Sequence, residues 1–214
     1  MIVEEEEFKS QIHRNIVLMG DSVFDNQNYT KEHELSIVEW LRALDPKGDR
    51  ASLVARDGAT LGSLPFQLRY LPEDTTHVFV SIGGNDVLGY RSYLSKFSQD
   101  SLGLLKILGI GADKFEVDYR LMLDHLLLFI EPDDTPIMFC NIYRGNFQEE
   151  QDAINFVLRP FNAVIEAALK EYRLELLDLY TLLSEPEDFV NTIEPSHQGG
   201  EKLAKEILEW TMIL

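Results

Sequence analysis

Five short apolar runs, each closing on residues that turn the chain, constrain this sequence more than any other feature. They occupy 16–19, 51–55, 77–82, 136–142 and 174–179. The first, Ile16 to Met19, is continuous rather than alternating, which is the pattern of a strand covered on both faces of a parallel sheet. Between the runs lie stretches with apolar residues at helical spacing. One covers 31–44, with Leu35, Val38, Trp40, Leu41 and Leu44; others cover 115–130 and 152–172, where Pro160 is expected to kink the helix. A shorter helix is expected over 61–70, interrupted by Pro65, and an amphipathic one over 201–210 with Leu203, Ala204, Ile207 and Leu208 inward. Strands alternating with helices imply right-handed crossovers and an α/β fold: a three-layer α/β/α domain around a five-stranded parallel sheet. A chain of 214 residues suits one such domain, spanning 15–214, preceded by an acidic lead-in over 1–14 that carries Glu4, Glu5, Glu6 and Glu7.

Charge and composition exclude several classes of partner. With 19 basic against 37 acidic side chains the net charge is -18, which repels phosphate backbones and argues against nucleic-acid binding. No run approaches the roughly 18 apolar residues of a membrane span, and the acidic N-terminus does not read as an export signal. The single cysteine, Cys140, allows no internal disulfide and points to a reduced, cytoplasmic setting. Neither a GxGxxG nor a GxxxxGK[ST] motif is present, so dinucleotide and P-loop chemistry lose support. Asp25, Asn26 and Asn28 lack the glycine and distal glutamate of a calcium loop, and no metal or other cofactor is expected.

The candidate chemistry sits at the strand ends, where open α/β sheets place their ligands. Gly20 ends the first run and lets the chain turn, leaving Asp21 and Ser22 at the carboxyl edge. Gly58 lies beyond the second run, and Gly83, Gly84, Asn85 and Asp86 close the third. Asp21 with Ser22, and Asn85 with Asp86, could equally cap the helices that follow. The last polar block, 191–200, presents Glu194, Pro195, Ser196 and His197 ahead of the final helix. A serine hydroxyl is a poor nucleophile until a base takes its proton, and the oxyanion formed on attack needs donors already aimed at it. Ser22, Gly58 and Asn85 can supply those parts.

Taken in order, GDSV (20–23), DGAT (57–60), GGND (83–86) and EPSH (194–197) resemble the GDSL or SGNH hydrolase family over nearly the whole chain, with Val23 in place of the family's leucine. The resemblance implies a flavodoxin-like sandwich and a serine esterase or acyl hydrolase, without cofactor, acting on a small-molecule ester or related acyl substrate. It implies Ser22 as nucleophile and an oxyanion hole made of the Ser22 N–H, the Gly58 N–H and the Asn85 side chain. The family's Asp and His can be laid on this sequence in two registers. Spacing from carboxylate to histidine gives a Ser22, His197, Glu194 triad, with Glu194 orienting the ring. Registering on Pro195, Ser196 and the glycines at 199 and 200 puts Glu194 in the place of the histidine and Asn191 in that of the aspartate. The first is the expected one, because an imidazole near pKa 6.5 is a better base at neutral pH than a glutamate near 4.3. A catalytically weak relative that binds a small ligand in the same crevice is the rival reading; an acidic receiver or interaction domain is a third. The glycine-interleaved segment 98–114 is expected either to pack or to shape the substrate pocket.

Overall fold

The strand ends converge on one edge of a single parallel sheet. The structure, a computed structural model, describes residues 14–45, 50–97 and 101–213; all of the acidic lead-in but Arg14 lies outside the described residues, as do 98–100. The strands are β1 (Asn15–Gly20), β2 (Arg50–Leu53), β3 (His77–Ser81), β4 (Ile137–Cys140) and β5 (Glu175–Leu177), ordered β2-β1-β3-β4-β5 and all parallel. Among the described residues five helices of eight residues or more flank them: α1 (Ile37–Leu44), α2 (Gly84–Phe97), α3 (Ser101–Leu127), α4 (Gln151–Tyr172) and α5 (His197–Ile213).

The two-residue period of a strand explains why each run is apolar throughout. Val17, Met19, Val78, Val80, Ile137 and Phe139 point to one face, against Phe115, Tyr119 and Leu123 of α3 and Phe161 and Ile165 of α4. Ile16, Leu18, Phe79, Met138 and Cys140 point to the other, against Ile37, Val38 and Leu41 of α1 and Leu203, Ala204 and Ile207 of α5. Neither face is left to solvent.

The helix boundaries differ from the expected ones for local reasons. The first starts at Ile37, not at 31, because Ser36 and Glu39 form a capping box in which the Glu39 carboxylate accepts from the Ser36 N–H at 2.8 Å. The glycine-interleaved stretch is helical and continuous with the following pattern, making α3 a single helix of 27 residues. Pro160 sits inside α4 without ending it. The last helix starts at His197, four residues before the expected 201. No helix among the described residues is long and apolar enough to cross a membrane.

Order reverses at β1, whose neighbours are β2 and β3, and this switch point opens the crevice in which such sheets bind ligands. Two buried side-chain amides finish the ends of β1 and β4. Gln67 accepts from the Gly20 N–H and donates to its carbonyl, at 2.8 and 2.7 Å. Asn162 does the same for Ile142, at 2.9 and 2.8 Å. Backbone that leaves the ladder is thus kept paired and fixed.

Candidate active site

Ser22 owes its position to Gly20. That residue has φ +120°, and a Cβ on it would lie 1.8 Å from the Ser81 carbonyl oxygen of β3, so only glycine fits. Past it the Asp21 N–H donates to that same oxygen at 3.0 Å, and the Asp21 carbonyl accepts from the N–H groups of Phe24 and Asp25. Asp21 also caps the turn by accepting from the Val23 N–H through Oδ1 at 3.2 Å. The Ser22 N–H, in a buried residue, donates to none of the described residues.

The second strand end is tied to the first. Arg56 donates its N–H to the Gly20 carbonyl at 2.9 Å, and the Asp57 N–H donates to Asp25 Oδ2 at 2.9 Å. Gly58 follows at φ +74°, exposed, its own N–H without an acceptor among the described residues. Asn85, in the first turn of α2, donates through Nδ2 to the Ala59 carbonyl at 2.9 Å, which holds its amide beside the Gly58 turn. Ser22 and Asn85 line the same cleft.

Glu194, and not His197, meets the serine. Ser22 Oγ donates to Glu194 Oε1 at 3.2 Å, in a contact between two buried residues. The loop that delivers Glu194 is closed on itself: Asn191 Oδ1 accepts from the N–H groups of Ile193 and Glu194, both at 2.9 Å, and the Val190 N–H donates to the Glu194 carbonyl at 2.9 Å. It is also moored from outside. Tyr143 donates its hydroxyl to the Ile193 carbonyl, the Asn146 N–H donates to the Thr192 carbonyl, and buried Asn26 donates to the Pro195 carbonyl.

His197, expected beside the serine, makes its contacts elsewhere. As the first residue of α5 it turns its ring to the start of α1, where Nδ1 accepts from the N–H of Leu35, just before the Ser36 cap, at 2.9 Å and the ring lies 4.7 Å from that of Trp40. The same Nδ1 lies 3.3 Å from the Leu35 carbonyl oxygen, so the ring is held on the Leu35 peptide whichever nitrogen carries the proton. Among the described residues no hydrogen bond joins His197 to Ser22 or to Glu194. Asn191 thus supports the backbone of Glu194, and Glu194 meets the serine hydroxyl.

Burial sets the electrostatics. Desolvation lifts the Asp21 carboxyl from 3.8 to about 7, with the nearby Glu194 charge adding to the rise. Desolvation also raises Glu194, opposed by the hydrogen bond from Ser22 and reinforced by the charge on Asp57. Glu194 Oε2 is buried and has no hydrogen-bond partner among the described residues. The carboxylate is thus a stronger proton acceptor than one in water, and has an oxygen to spare.

The cleft of about 170 Å³ beside Ser22 is mainly apolar, lined by Val87 and Leu88 of α2, by Phe147, and by Ile154, Val157 and Leu158 of α4. None of the described residues of 98–114 lines it. The α4 wall escaped the sequence reading; its only signal was an apolar triplet at helical spacing, which a core-facing stripe gives just as well.

The sequence matches the model of the GDSL-like lipase/acylhydrolase family over residues 16–207. Solved structures with the same architecture include a lipolytic protein of the G-D-S-L family from Veillonella parvula, 17% identical, covering 94% of this chain and 100% of that one at a TM-score of 0.64. An extracellular lipase from Streptomyces rimosus is 18% identical, covering 92% of this chain and 98% of its own at 0.64. The acetylxylan esterase Axe2 from Geobacillus stearothermophilus is 21% identical, covering 93% and 95% at 0.61. No curated protein sequence matches the chain. With the family model spanning nearly all of the sheet and its strand-end turns, the chain belongs to the GDSL-like lipase/acylhydrolase family of serine hydrolases that act on ester bonds.

Proposed function

We propose that this chain cleaves a small, uncharged ester through an acyl-enzyme on Ser22, with Glu194 as its general base. The observation that carries the reading is the Ser22 Oγ to Glu194 Oε1 hydrogen bond of 3.2 Å beside an apolar cleft. Glu194 takes the Ser22 proton as Oγ attacks the carbonyl carbon, and the carbonyl π electrons move onto oxygen. The Ser22 and Gly58 N–H groups, both without acceptors among the described residues, and the second N–H of the Asn85 amide receive that oxyanion. Collapse expels the alcohol oxygen, which takes the proton from Glu194. Water then attacks the acyl carbon with Glu194 accepting its proton, and Ser22 leaves as the free hydroxyl. The apolar residues of α2 and α4 suit an aliphatic acyl group, while Glu150 in the cleft lining and Glu194 and Asp57 near the serine disfavour anionic substrates. A cytoplasmic setting belongs to the same proposal, supported by the one cysteine, Cys140, being buried.

That no imidazole among the described residues meets the serine supports a second reading, a slow or inactive relative that holds a small ligand in this cleft, because a carboxylate is a weaker base at neutral pH. One experiment separates the two. A fluorophosphonate probe is expected to label the wild-type protein and not Ser22→Ala, and Glu194→Gln is expected to slow hydrolysis of a short-chain aryl ester about 10²- to 10⁴-fold. Because the base form is the carboxylate, kcat/KM should rise with pH through the raised pKa of Glu194. No labelling of the wild type overturns the enzyme in favour of the binder; labelling with full activity in Glu194→Gln removes Glu194 from the mechanism.

A further inference from the structure

The core-facing side of α3 is fully used: Phe115, Tyr119, Met122, Leu123 and Leu126 pack into the sheet's hydrophobic layer. Its opposite side is not packed by any of the described residues. Ile110, Val117, Leu121 and, one residue beyond the helix, Leu128 are exposed at 69, 65, 64 and 79%. These residues fall on one line, and Lys114 and Asp124 complete it, so that successive positions alternate in steps of four and three. That is the seam spacing of paired helices.

We propose that this seam binds a second copy of the same chain, α3 against α3 in antiparallel orientation about a two-fold axis beside Tyr119. The argument is the seam's self-complementarity. Inverting it about Tyr119 sets Ile110 opposite Leu128, Val117 opposite Leu121 and Lys114 opposite Asp124 of the partner, and the two-fold repeats every pair. Apolar residues meet apolar ones and the single cation meets the single anion. A parallel pairing in register would instead set Lys114 against Lys114 and Asp124 against Asp124, so the charges select the antiparallel arrangement. Lys114 and Asp124 are both reachable, with Lys114 already bound to Asp118 on its own helix and Asp124 accepting from the Tyr172 hydroxyl. The two seam charges cancel within one chain, so the face itself adds nothing to the repulsion between copies that each carry -18. An anionic lipid surface, by contrast, would meet that whole net charge.

Sedimentation equilibrium of the full chain over roughly 1 to 100 μM tests the proposal in the range where specific pairs associate. The wild type is expected to dimerise. Val117→Glu, an exposed change on a helix, should weaken the dimer at least about tenfold while leaving circular dichroism and aryl-ester turnover unchanged. Lys114→Asp should weaken it as well, and Lys114→Asp combined with Asp124→Lys should restore it, which a general loss of apolar surface or of helix would not allow. A wild type that stays monomeric throughout, a dimer indifferent to Val117→Glu, or a charge exchange that fails to restore association overturns the antiparallel pairing. So does a monomer that floats with phosphatidylcholine vesicles and ceases to do so as Val117→Glu, since the seam would then face lipid.

Discussion

The turn after β1 and the loop before α5 bring Ser22 and Glu194 to the same point by different means. The first is an extension of the sheet. Gly20 lies against β3, its peptide is clamped by Gln67, and Asp21, Val23, Phe24 and Asp25 bond one another within a few residues. The second is a loop of irregular backbone whose bearings come from distant parts of the chain: Asn26 on Pro195, Tyr143 on Ile193, Asn146 on Thr192. Even its anchor to the final helix is a close approach across chain segments, with Gly199 lying over the Asp188 carbonyl and Lys202 paired to the Asp188 carboxylate at 2.6 Å. A side chain at the end of a buried strand inherits its position from the ladder, whereas one in a loop is only as well placed as its moorings.

Glycine substitutions should break this comparison most sharply. Gly20→Ala adds a Cβ at 1.8 Å from a strand carbonyl in a residue at φ +120°, so both sterics and backbone conformation oppose it. A loss of about 4 kcal/mol or more, or no folded protein at all, is expected. Gly199→Ala puts a Cβ 2.3 Å from the Asp188 carbonyl oxygen, but with ordinary φ and a loop that can give way. About 2 kcal/mol is expected there, with turnover falling further than stability because Asp188 neighbours the Glu194 loop. Urea midpoints and aryl-ester rates measure both. Equal losses of stability would mean that the loop is as rigid as the strand-end turn.

A smaller and pH-dependent effect follows from Asp21, whose carboxyl is raised from 3.8 to about 7 by burial. Between those two values the folded protein binds more protons than the unfolded chain, so this group's contribution to stability is present at low pH and is lost as pH rises towards 7. Asp21→Asn keeps an oxygen for the Val23 N–H and has no charge to bury. Its melting temperature should match the wild type's near pH 4 and exceed it by several degrees at pH 8, each 1 kcal/mol being worth about 2 to 4 °C in a chain of this size. Parallel melting curves across that window would show that Asp21 does not titrate as its surroundings imply.

The same contrast decides what could be read from the sequence. The five strands, the Ser22 turn and the Gly83 to Asn85 turn were legible because continuous apolar runs and terminal glycines are local signals with local causes. The length of α3 was less so, since Gly103, Gly109 and Gly111 lower helix propensity while the burial of Leu108 and Phe115 in the core holds the stretch in the helix. The wall of the cleft was hidden because Ile154, Val157 and Leu158 share their spacing with core residues of the same helix. The register of 191–197 was legible only as two alternatives. Choosing between them takes Asn26, Tyr143 and Leu35, whose contacts with this block span much of the chain and leave no mark on its own spacing.

His197 supplies the finest test of that choice. Its ring joins α5 to α1 by accepting from the Leu35 N–H and packing on Trp40, while the Trp40 indole N–H donates to its backbone carbonyl at 3.0 Å. His197→Ala removes the first two contacts and keeps the third, which predicts a loss of about 1 to 2 kcal/mol from one hydrogen bond and one ring contact. His197→Asn offers an oxygen near the former Nδ1 and should recover the hydrogen-bond share of that loss. Neither change reaches Ser22, so kcat on a short-chain aryl ester should stay within about threefold of wild type, far from the 10²- to 10⁴-fold loss of a missing general base. A collapse of kcat in both variants with little change in urea midpoint would return the ring to the serine and make Glu194 its partner instead of its replacement.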